Sequence, residues 1–422
     1  MQKLTTNREA VLRVMQRMEA ALEQRAAGAG PLVSNVSAGQ AAQLAAEVRE
    51  ARHWAMTEEP AHMAATEEDD DLKPGGDYVS HHPVVALTQT AMEQFADAKL
   101  VPPSADDAES VPLDLLVDAL LFTLRDRAEF VTHESLDDLC YDLASNATVV
   151  VVGDFGTAKQ RAKRVAAAIK KVQPDHVIHL GDIYPSGTPA LARRHFIDVW
   201  NDHGPPGAKY WALNGNHEMA AKGIGYFGVV LPFCKQRASY FSLQNEHWKL
   251  IGLDTAYRDH DLYADQKRWL RARLQDGDSK NILLTHHQMF SAIDPRPHEN
   301  RDRLPTTMQE FVQTGRIFGW LWGHEHRFLS YERTPEPGAY LARAVGHGGK
   351  RIKYVSGVHK FPGEAPPVLH YWELRRPDEP DECLNGFAIL RFEGPTLTIS
   401  YADETGFEWY VEIWPDSPHG TP

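Results

Sequence analysis

Five apolar runs after residue 147 each end beside residues that can bind metal ions. The residues that follow these runs are Gly153-Asp154-Phe155-Gly156, Gly181-Asp182, Gly215-Asn216-His217, His286-His287 and Gly323-His324-Glu325-His326. Carboxylate oxygen and neutral imidazole nitrogen suit first-row metals such as iron, manganese and zinc. Glycine beside such residues lets the backbone turn sharply and approach a metal closely. The spacing therefore predicts a metal site, and two cations about 3.5–4 Å apart in it would need a bridging carboxylate.

The alternation of apolar runs with helical segments indicates how these residues meet. The runs that predict strands are Val149–Val152, Val177–Leu180, Tyr210–Leu213, Leu250–Leu253, Ile282–Leu284 and Ile317–Trp322, and the predicted helices between them include Lys159–Val172, Pro189–Trp200 and Asp265–Leu274. Ligands of layered α/β folds gather at the carboxyl ends of strands, so the five groups are expected on one rim. Later runs predict antiparallel strands at Phe387–Phe392, Leu397–Tyr401 and Trp409–Trp414. The pattern predicts a layered α/β domain with covered sheets.

Residues 1–145 have a different pattern. Apolar residues at three- and four-residue spacings predict four helices, Met1–Arg25, Gly39–Met56, Val84–Ala98 and Pro112–Ser145. The acidic segment Thr57–Asp77 predicts a solvated linker. We therefore place a helical N-terminal extension with an acidic linker at residues 1–146 and a catalytic domain at residues 147–422. The sequence leaves open whether the extension is a lid, an arm for oligomerisation or a docking surface.

The composition limits the class of protein. A chain of 422 residues allows two or three domains. Its formal net charge of −14 argues against a nucleic-acid binder, which needs basic residues to displace counterions from phosphates. Cys140, Cys234 and Cys383 lie far apart and predict no disulfide framework. The lack of a signal-like segment and of a long apolar run predicts a cytoplasmic protein with no membrane partner.

The order of the motifs resembles the calcineurin-like metallophosphoesterase superfamily. The local motifs are most similar to those of purple acid phosphatases and their bacterial relatives, through GDFG, GDIYPSG, LNGNHE, LLTHHQ and GHEHRFLSYER. The resemblance covers roughly residues 147–414 and implies a four-layer αββα sandwich with a dinuclear metal site at its rim. Carried over to this chain, it implies a first metal on Asp154 and His326, a bridging Asp182, and a second metal on Asn216, His286 and His324.

The resemblance also implies roles for residues beside these ligands. His217, directly after Asn216, would face the substrate phosphoryl group and stabilise the transition state or protonate the leaving oxygen. His287 matches no ligand position and is predicted to pack beside the site. Purple acid phosphatases use a tyrosine ligand three residues after the bridging aspartate, whereas Tyr184 is two residues after Asp182. Tyr184 is therefore predicted either as a ligand or as a tyrosine that packs beside the site.

The implied activity is hydrolysis of a phosphate ester by a dinuclear metal-dependent phosphoesterase. Two ions of iron, manganese or zinc would polarise the phosphoryl oxygens and generate the hydroxide that attacks phosphorus. His298 and His347 are candidate substrate-binding residues, and the positive groups they could add slightly favour a small phosphate monoester. The alternatives are a phosphodiesterase acting on a small nucleotide or other diester, and a non-catalytic scaffold for protein interactions on the same fold.

Overall fold

The computed structural model of the protein contains two compact units. The residues that it describes are 8–29, 36–57, 80–99, 110–292, 303–333, 340–352, 354, 367–371, 374–377 and 379–415. The first unit contains the described residues up to Arg127 together with Tyr184–Gly187 and Met219–Lys222, and the second contains the rest. Residues 128–146, which the sequence assigns to the extension, group with the second unit. The predicted acidic linker lies, apart from Thr57, outside the described residues.

Four helices of the first unit surround a core of their own. They are α1 (Arg8–Ala26), α2 (Ala38–Thr57), α3 (Pro83–Lys99) and α4 (Leu113–Leu120). Apolar side chains at helical spacing, such as Val11 and Leu22 of α1, are fully buried in that core, as an amphipathic pattern requires. Glu19 of α1 accepts hydrogen bonds from Arg49 (2.7 Å) and Arg52 (3.0 Å) of α2. Among the described helices, none has the length and apolar character that a membrane span needs.

The fourth helix is much shorter than the sequence predicts. α4 ends at Leu120, and the chain then turns instead of continuing the helix. Asp138 Oδ2 accepts the backbone N–H groups of Glu134 and Ser135, both at 2.9 Å. A short acidic side chain that bonds nearby backbone donors favours a turn over a helix. The residues after this turn form a strand, β1 (Cys140–Asp142), which pairs in parallel with a strand of the second unit.

The second unit contains two mixed β-sheets and the helices that cover them. Its other strands are β2 (Thr148–Val152), β3 (His176–His179), β4 (Lys209–Ala212), β5 (Phe241–Gln244), β6 (Trp248–Gly252), β7 (Lys280–Thr285), β8 (Ile317–Trp322), β9 (Phe328–Tyr331), β10 (Leu341–Val345), β11 (Val368–Tyr371), β12 (Gly386–Glu393), β13 (Thr396–Asp403) and β14 (Glu408–Trp414). The helices are α5 (Gln160–Val172), α6 (Pro189–Leu191), α7 (Asp198–His203), α8 (Asn216–Met219), α9 (Leu231–Cys234), α10 (Gln266–Gln275) and α11 (Leu304–Val312). A π-helical segment, Ala192–Ile197, separates α6 from α7, so the predicted single helix there is interrupted, and a second, Tyr226–Val230, precedes α9.

The strand order brings parallel strands together in both sheets. One sheet has the order β14-β13-β12-β2-β3-β4 and the other has the order β1-β5-β6-β7-β8-β10-β9-β11. β2, β3 and β4 are parallel neighbours in the first sheet, and β7 and β8 are parallel neighbours in the second. The carboxyl ends of parallel neighbours reach the same edge of a sheet, which is where ligands bind in such folds.

Successive side chains of the strands alternate between two apolar layers. Val149 of β2 and Leu284 of β7 lie in the core between the two sheets. Val150 packs on the outer face with residues of α5, and Leu283 packs on the opposite outer face with residues of α10 and α11. This period of two is the geometry of a strand buried on both faces. The predicted four-layer αββα sandwich, preceded by N-terminal helices, is therefore confirmed.

Candidate metal centre

The five motif segments leave β2, β3, β4, β7 and β8 at their carboxyl ends, as their positions after apolar runs predict. β2 and β3 pair in parallel, so the residues that follow them run side by side. The N–H of Asp154 donates to the carbonyl oxygen of Gly181 at 3.1 Å, and the N–H of Gly156 donates to the carbonyl oxygen of Asp182 at 3.2 Å. The backbone thereby fixes the two aspartates as neighbours.

Four of the predicted ligands have left-handed backbone conformations. The φ angles are 56° at Asp154, 78° at Asp182, 68° at His324 and 48° at His326. Residues with a side chain enter this region at a cost of about 1–3 kcal/mol each, and such residues concentrate at functional sites. The strained backbone sends side chains from different strands towards one place.

Two glycines allow the loops to approach the aspartates closely. A Cβ atom at Gly346 would lie 2.8 Å from Asp154 Oδ2 and 3.0 Å from the backbone nitrogen of His326. A Cβ atom at Gly215 would overlap Asp182 Oδ1. Any larger residue at either position would therefore displace a carboxylate of the site.

Asp182 lies at the centre of the candidate site and is fully buried. Its Oδ1 accepts the backbone N–H of His217 at 3.1 Å. Its Oδ2 has no hydrogen-bond partner among the described residues, and the nearest imidazole nitrogen of His217 is 3.9 Å away. Burial opposes the charged carboxylate, but the imidazoles of His286 and His217 outweigh burial and hold the pKa of Asp182 below its usual value. A buried, charged oxygen without a donor fits a metal ligand.

His286 directs a lone pair at the same place. Its Nδ1 lies 2.9 Å from the carbonyl oxygen of Leu180, and because a carbonyl only accepts, Nδ1 carries the proton. In the neutral ring the Nε2 atom is then an acceptor, and it lies 2.9 Å from Asn216 Oδ1, 3.3 Å from Asp182 Oδ1 and 3.2 Å from His324 Nδ1. Lone pairs that meet without a shared proton repel each other unless a cation lies among them. The donor set therefore fits the predicted second metal.

The residues predicted for the first metal also lie close together. Asp154, Asp182 and His286 offer ligand atoms within 4.8 Å of one another. His326 Nε2 is 3.4 Å from Asp154 Oδ1, while Asp154 Oδ2 accepts the backbone N–H of His324 at 2.7 Å. The structure thus brings together the six predicted ligands, Asp154, Asp182, Asn216, His286, His324 and His326.

Lys350 is a charged residue near the site that the sequence motifs do not predict. Burial lowers the pKa of His326 well below its usual value, and the positive charge of Lys350 lowers it further. Lys350 is itself buried. It ends the glycine-rich turn in which Gly348 donates to the carbonyl of Gly153 at 2.9 Å. His347, in the same turn, identifies this segment in the sequence as a candidate part of the site. Lys350, three residues later, belongs to no motif.

Two buried glutamates, Glu218 and Glu325, accept hydrogen bonds from residues in or beside the ligand loops. Glu218 Oε2 accepts the backbone N–H groups of Asp182 and Gly215, both at 3.2 Å. Burial, and then the charge of Asp182, raise the pKa of Glu218 well above its usual value. Glu325 Oε2 accepts the indole N–H of Trp322 at 2.5 Å. Each glutamate lies within two residues of a predicted ligand in its motif, and this position is the sequence signal for its role.

His287 contacts Thr255 and also lies close to the predicted ligands His286 and His324. Its Nδ1 lies 3.0 Å from Thr255 Oγ1, and its backbone N–H donates to the same hydroxyl at 3.2 Å. Its ligand-capable nitrogen belongs to a group with those of His286 and His324 in which all atoms lie within 4.8 Å. The threonine fixes the ring against the ligand imidazoles.

The other predicted residues have different outcomes. Tyr184 is buried and belongs to the first unit, and its role as a ligand stays a prediction. His298 lies outside the described residues. His347 is fully buried, 5.8 Å from the ring of Phe328, a residue of the core between the sheets. Burial lowers the pKa of His347 to about 3, so at neutral pH the ring is uncharged and cannot supply the positive group expected of it.

Asp254 organises the loop after β6. Its Oδ1 accepts the backbone N–H groups of Ala256 (3.0 Å) and Tyr257 (2.9 Å), and the side-chain amide of Asn214 lies 3.3 Å from both oxygens. Burial raises the pKa of Asp254 from 3.8 to about 6, although these hydrogen bonds oppose the change. The loop therefore contains a carboxyl group that prefers its proton more in the folded chain than in the unfolded one.

Asp254→Asn is expected to weaken the pH dependence of stability in mildly acidic solution. A raised folded-state pKa contributes stability that is present below pH 3.8 and is lost as the pH rises through about 6. Between pH 4 and pH 7 the wild-type protein should therefore lose about 3 kcal/mol of its free energy of unfolding through this group. The asparagine variant should lack this loss, because its side chain does not titrate. Urea unfolding at several pH values measures it. Glu246→Gln, the same chemical change at an exposed residue, is the control, and a parallel pH profile for Asp254→Asn would contradict the expectation.

Part of the chain is similar to known proteins. Residues 147–328 match the family described as calcineurin-like phosphoesterase. A probable cyclic nucleotide phosphodiesterase of Synechococcus sp. is 31% identical over 130 residues, which are 30% of this chain and 48% of the relative. The chain therefore spans about half the length of this curated relative.

Solved structures with distant sequences also align with the chain. The purple acid phosphatase from yellow lupin seeds has a TM-score of 0.47 at 15% identity, covering 64% of this chain and 54% of its own. GAP50, the anchor in the inner membrane complex of Plasmodium, has a TM-score of 0.45 at 12% identity, covering 63% of this chain and 88% of its own.

Proposed function

Since residues 147–328 match the calcineurin-like phosphoesterase family, we propose that this protein hydrolyses phosphate esters with two bound metal ions. One observation carries the proposal: His286 Nε2 lies 2.9 Å from Asn216 Oδ1 and 3.3 Å from Asp182 Oδ1, so an imidazole nitrogen, an amide oxygen and a carboxylate oxygen that suit a metal ion converge at one place. Asp154 and His326 would hold one ion, Asp182 would be shared, and Asn216, His286 and His324 would hold the other. Ions of iron, manganese or zinc would polarise the phosphoryl oxygens and acidify a water molecule.

His217 is proposed to face the phosphoryl group. Its backbone N–H is bonded to Asp182 Oδ1 at 3.1 Å, so the main chain places the ring beside the shared carboxylate. The ring is buried, with Nε2 3.9 Å from Asp182 Oδ2. From this position a protonated Nε2 would stabilise negative charge on the phosphoryl oxygens or donate its proton to the leaving oxygen.

We propose a small phosphate monoester as the substrate, on a reason that differs from the one the sequence gives. The neutral ring of His347 adds no charge, but Lys350 adds a buried positive charge that acts on His326. A monoester dianion has one more negative charge than a diester, so a fixed cation favours it. The name of the Synechococcus relative supports the alternative, hydrolysis of a cyclic nucleotide or another diester.

A non-catalytic scaffold is the alternative from a different class of function. It would use the fold for protein interactions and would not need the metal ligands. The fully buried Asp154 and Asp182 argue against it, because buried carboxylates without a metal would be costly to retain.

Assays with two chromogenic substrates test the proposal. Metal-loaded protein should hydrolyse p-nitrophenyl phosphate faster than bis-p-nitrophenyl phosphate. A reversed preference would support the diesterase. A folded protein that binds no metal and cleaves neither substrate would support the scaffold and overturn the proposed function.

A further inference from the structure

The loop between β6 and α10 presents a histidine to which neither the sequence motifs nor the family resemblance gives a role. Arg258 and Asp261 form an isolated antiparallel bridge, with Asp259 and His260 at its tip. Both tip residues are left-handed, with φ angles of 58° and 45°. The carbonyl of His260 accepts the backbone N–H of Leu304 at 3.0 Å. The strained tip is therefore held in place by the main chain on both sides.

The ring of His260 belongs to a cluster of four imidazoles and is stacked on one of them. It lies against the ring of His287, with centroids 4.0 Å apart and planes 22° apart. The ring of His287 is 4.8 Å from the rings of both His286 and His324. The ring of His260 is also 6.5 Å from that of His324. The cluster therefore connects two predicted metal ligands, His286 and His324, with the loop that carries His260.

Exposure distinguishes His260 from the ring beneath it. His286 and His287 are buried, whereas His260 and His324 are partly exposed. Thr255 bonds both the ring and the backbone of His287, and so fixes the orientation of the ring against which His260 lies. A planar ring fixed on one face by another planar ring suits a third planar group, because offset stacks of aromatic groups are mutually favourable.

We propose that His260 forms a substrate subsite that stacks against a planar, aromatic or heteroaromatic group esterified to the scissile phosphate. The inference rests on the proposed function, since it takes the phosphoryl group to be held at the Asp182 centre. It adds to that function a preference for the leaving alcohol. Phosphate esters of aryl or base-bearing alcohols should bind more tightly than esters of aliphatic alcohols. Loss of one stacking partner corresponds to about a 2- to 10-fold loss of affinity.

Binding of two phosphonates tests the subsite without requiring turnover. Phenylphosphonate and methylphosphonate share the anionic group and differ in the planar ring, and neither has an ester bond to hydrolyse. Calorimetric titration of metal-loaded wild type should show tighter binding of phenylphosphonate. His260→Asn removes the ring while asparagine tolerates the left-handed backbone, and the preference should fall about 2- to 10-fold. His260→Phe keeps a ring and should retain the preference.

The controls separate the subsite from the activity. His247 is a partly exposed histidine that directly precedes β6, whereas the loop with His260 follows this strand. His247→Ala should therefore leave the phosphonate preference unchanged. An unchanged preference in folded His260→Asn, or its loss in folded His260→Phe, would overturn the subsite. Failure of wild type to bind either phosphonate would overturn it too. Phosphonate preference in a protein that cleaves no ester would support the subsite while contradicting the proposed hydrolysis.

Discussion

Asp182→Ala is expected to abolish phosphoester hydrolysis and to release bound metal. The side chain is fully buried, contacts His286 at 3.3 Å, and has an oxygen with no hydrogen-bond partner among the described residues. Without it the two predicted metal positions lose their shared carboxylate. Turnover should fall by more than the ~10²–10⁴-fold that a general acid contributes. Elemental analysis should show fewer metal ions per chain than in wild type.

Asp175→Ala is the matched control for this substitution. Asp175 directly precedes β3, whereas Asp182 follows it, and its Oδ2 accepts the backbone N–H of Thr148 at 2.8 Å. Its loss should cost stability without changing metal content. Asp182→Asn keeps the size of the side chain and removes the charge, so it should lose metal as the alanine variant does. Full activity in Asp182→Asn would contradict a charged bridging ligand.

His217→Ala is expected to remove activity while leaving the metal in place. The alanine variant keeps the backbone N–H that donates to Asp182 at 3.1 Å, so the ligand loop retains its anchor. Removal of a general acid or of a group that stabilises the transition state should lower turnover by about 10²–10⁴-fold. Steady-state assays and elemental analysis of the same preparation measure both quantities.

The leaving group decides between the two roles that His217 could have. p-Nitrophenolate leaves without a proton, whereas an alkoxide needs one. If His217 protonates the leaving oxygen, His217→Ala should slow an alkyl phosphate much more than p-nitrophenyl phosphate. If it stabilises the phosphoryl oxygens, both should slow equally. Wild-type turnover in His217→Ala, or loss of its metal, would contradict the position assigned to this residue.

The sequence predicts the site well because its ligands follow regular elements. Each aspartate, asparagine and histidine ligand follows an apolar run, and a parallel strand has a fixed direction, so the end of the run specifies the edge of the sheet. Val149–Val152 predicts β2 to within one residue for this reason. The αββα layers follow from the same runs, since strands buried on both faces are continuously apolar.

Other parts of the site could not be predicted because they depend on contacts between distant segments. His260 and Lys350 lie outside helices and strands. The carbonyl of His260 accepts the N–H of Leu304 at the start of α11, and Gly348, two residues before Lys350, bonds the carbonyl of Gly153. β1 has the polar sequence Cys-Tyr-Asp and becomes a strand because it pairs with β5. His347 was expected to carry charge, but only the fold reveals that burial keeps its ring neutral.

The number of metal ions bound per chain tests the central claim most directly. Purified protein saturated with iron, manganese or zinc, freed of unbound ions and analysed for elemental content, should hold two ions per chain and hydrolyse p-nitrophenyl phosphate. Asp182→Ala, treated in the same way, should hold fewer ions and be inactive. A folded wild-type chain that retains no metal ion under these conditions would contradict the assignment of the Asp182 centre as a dinuclear catalytic site.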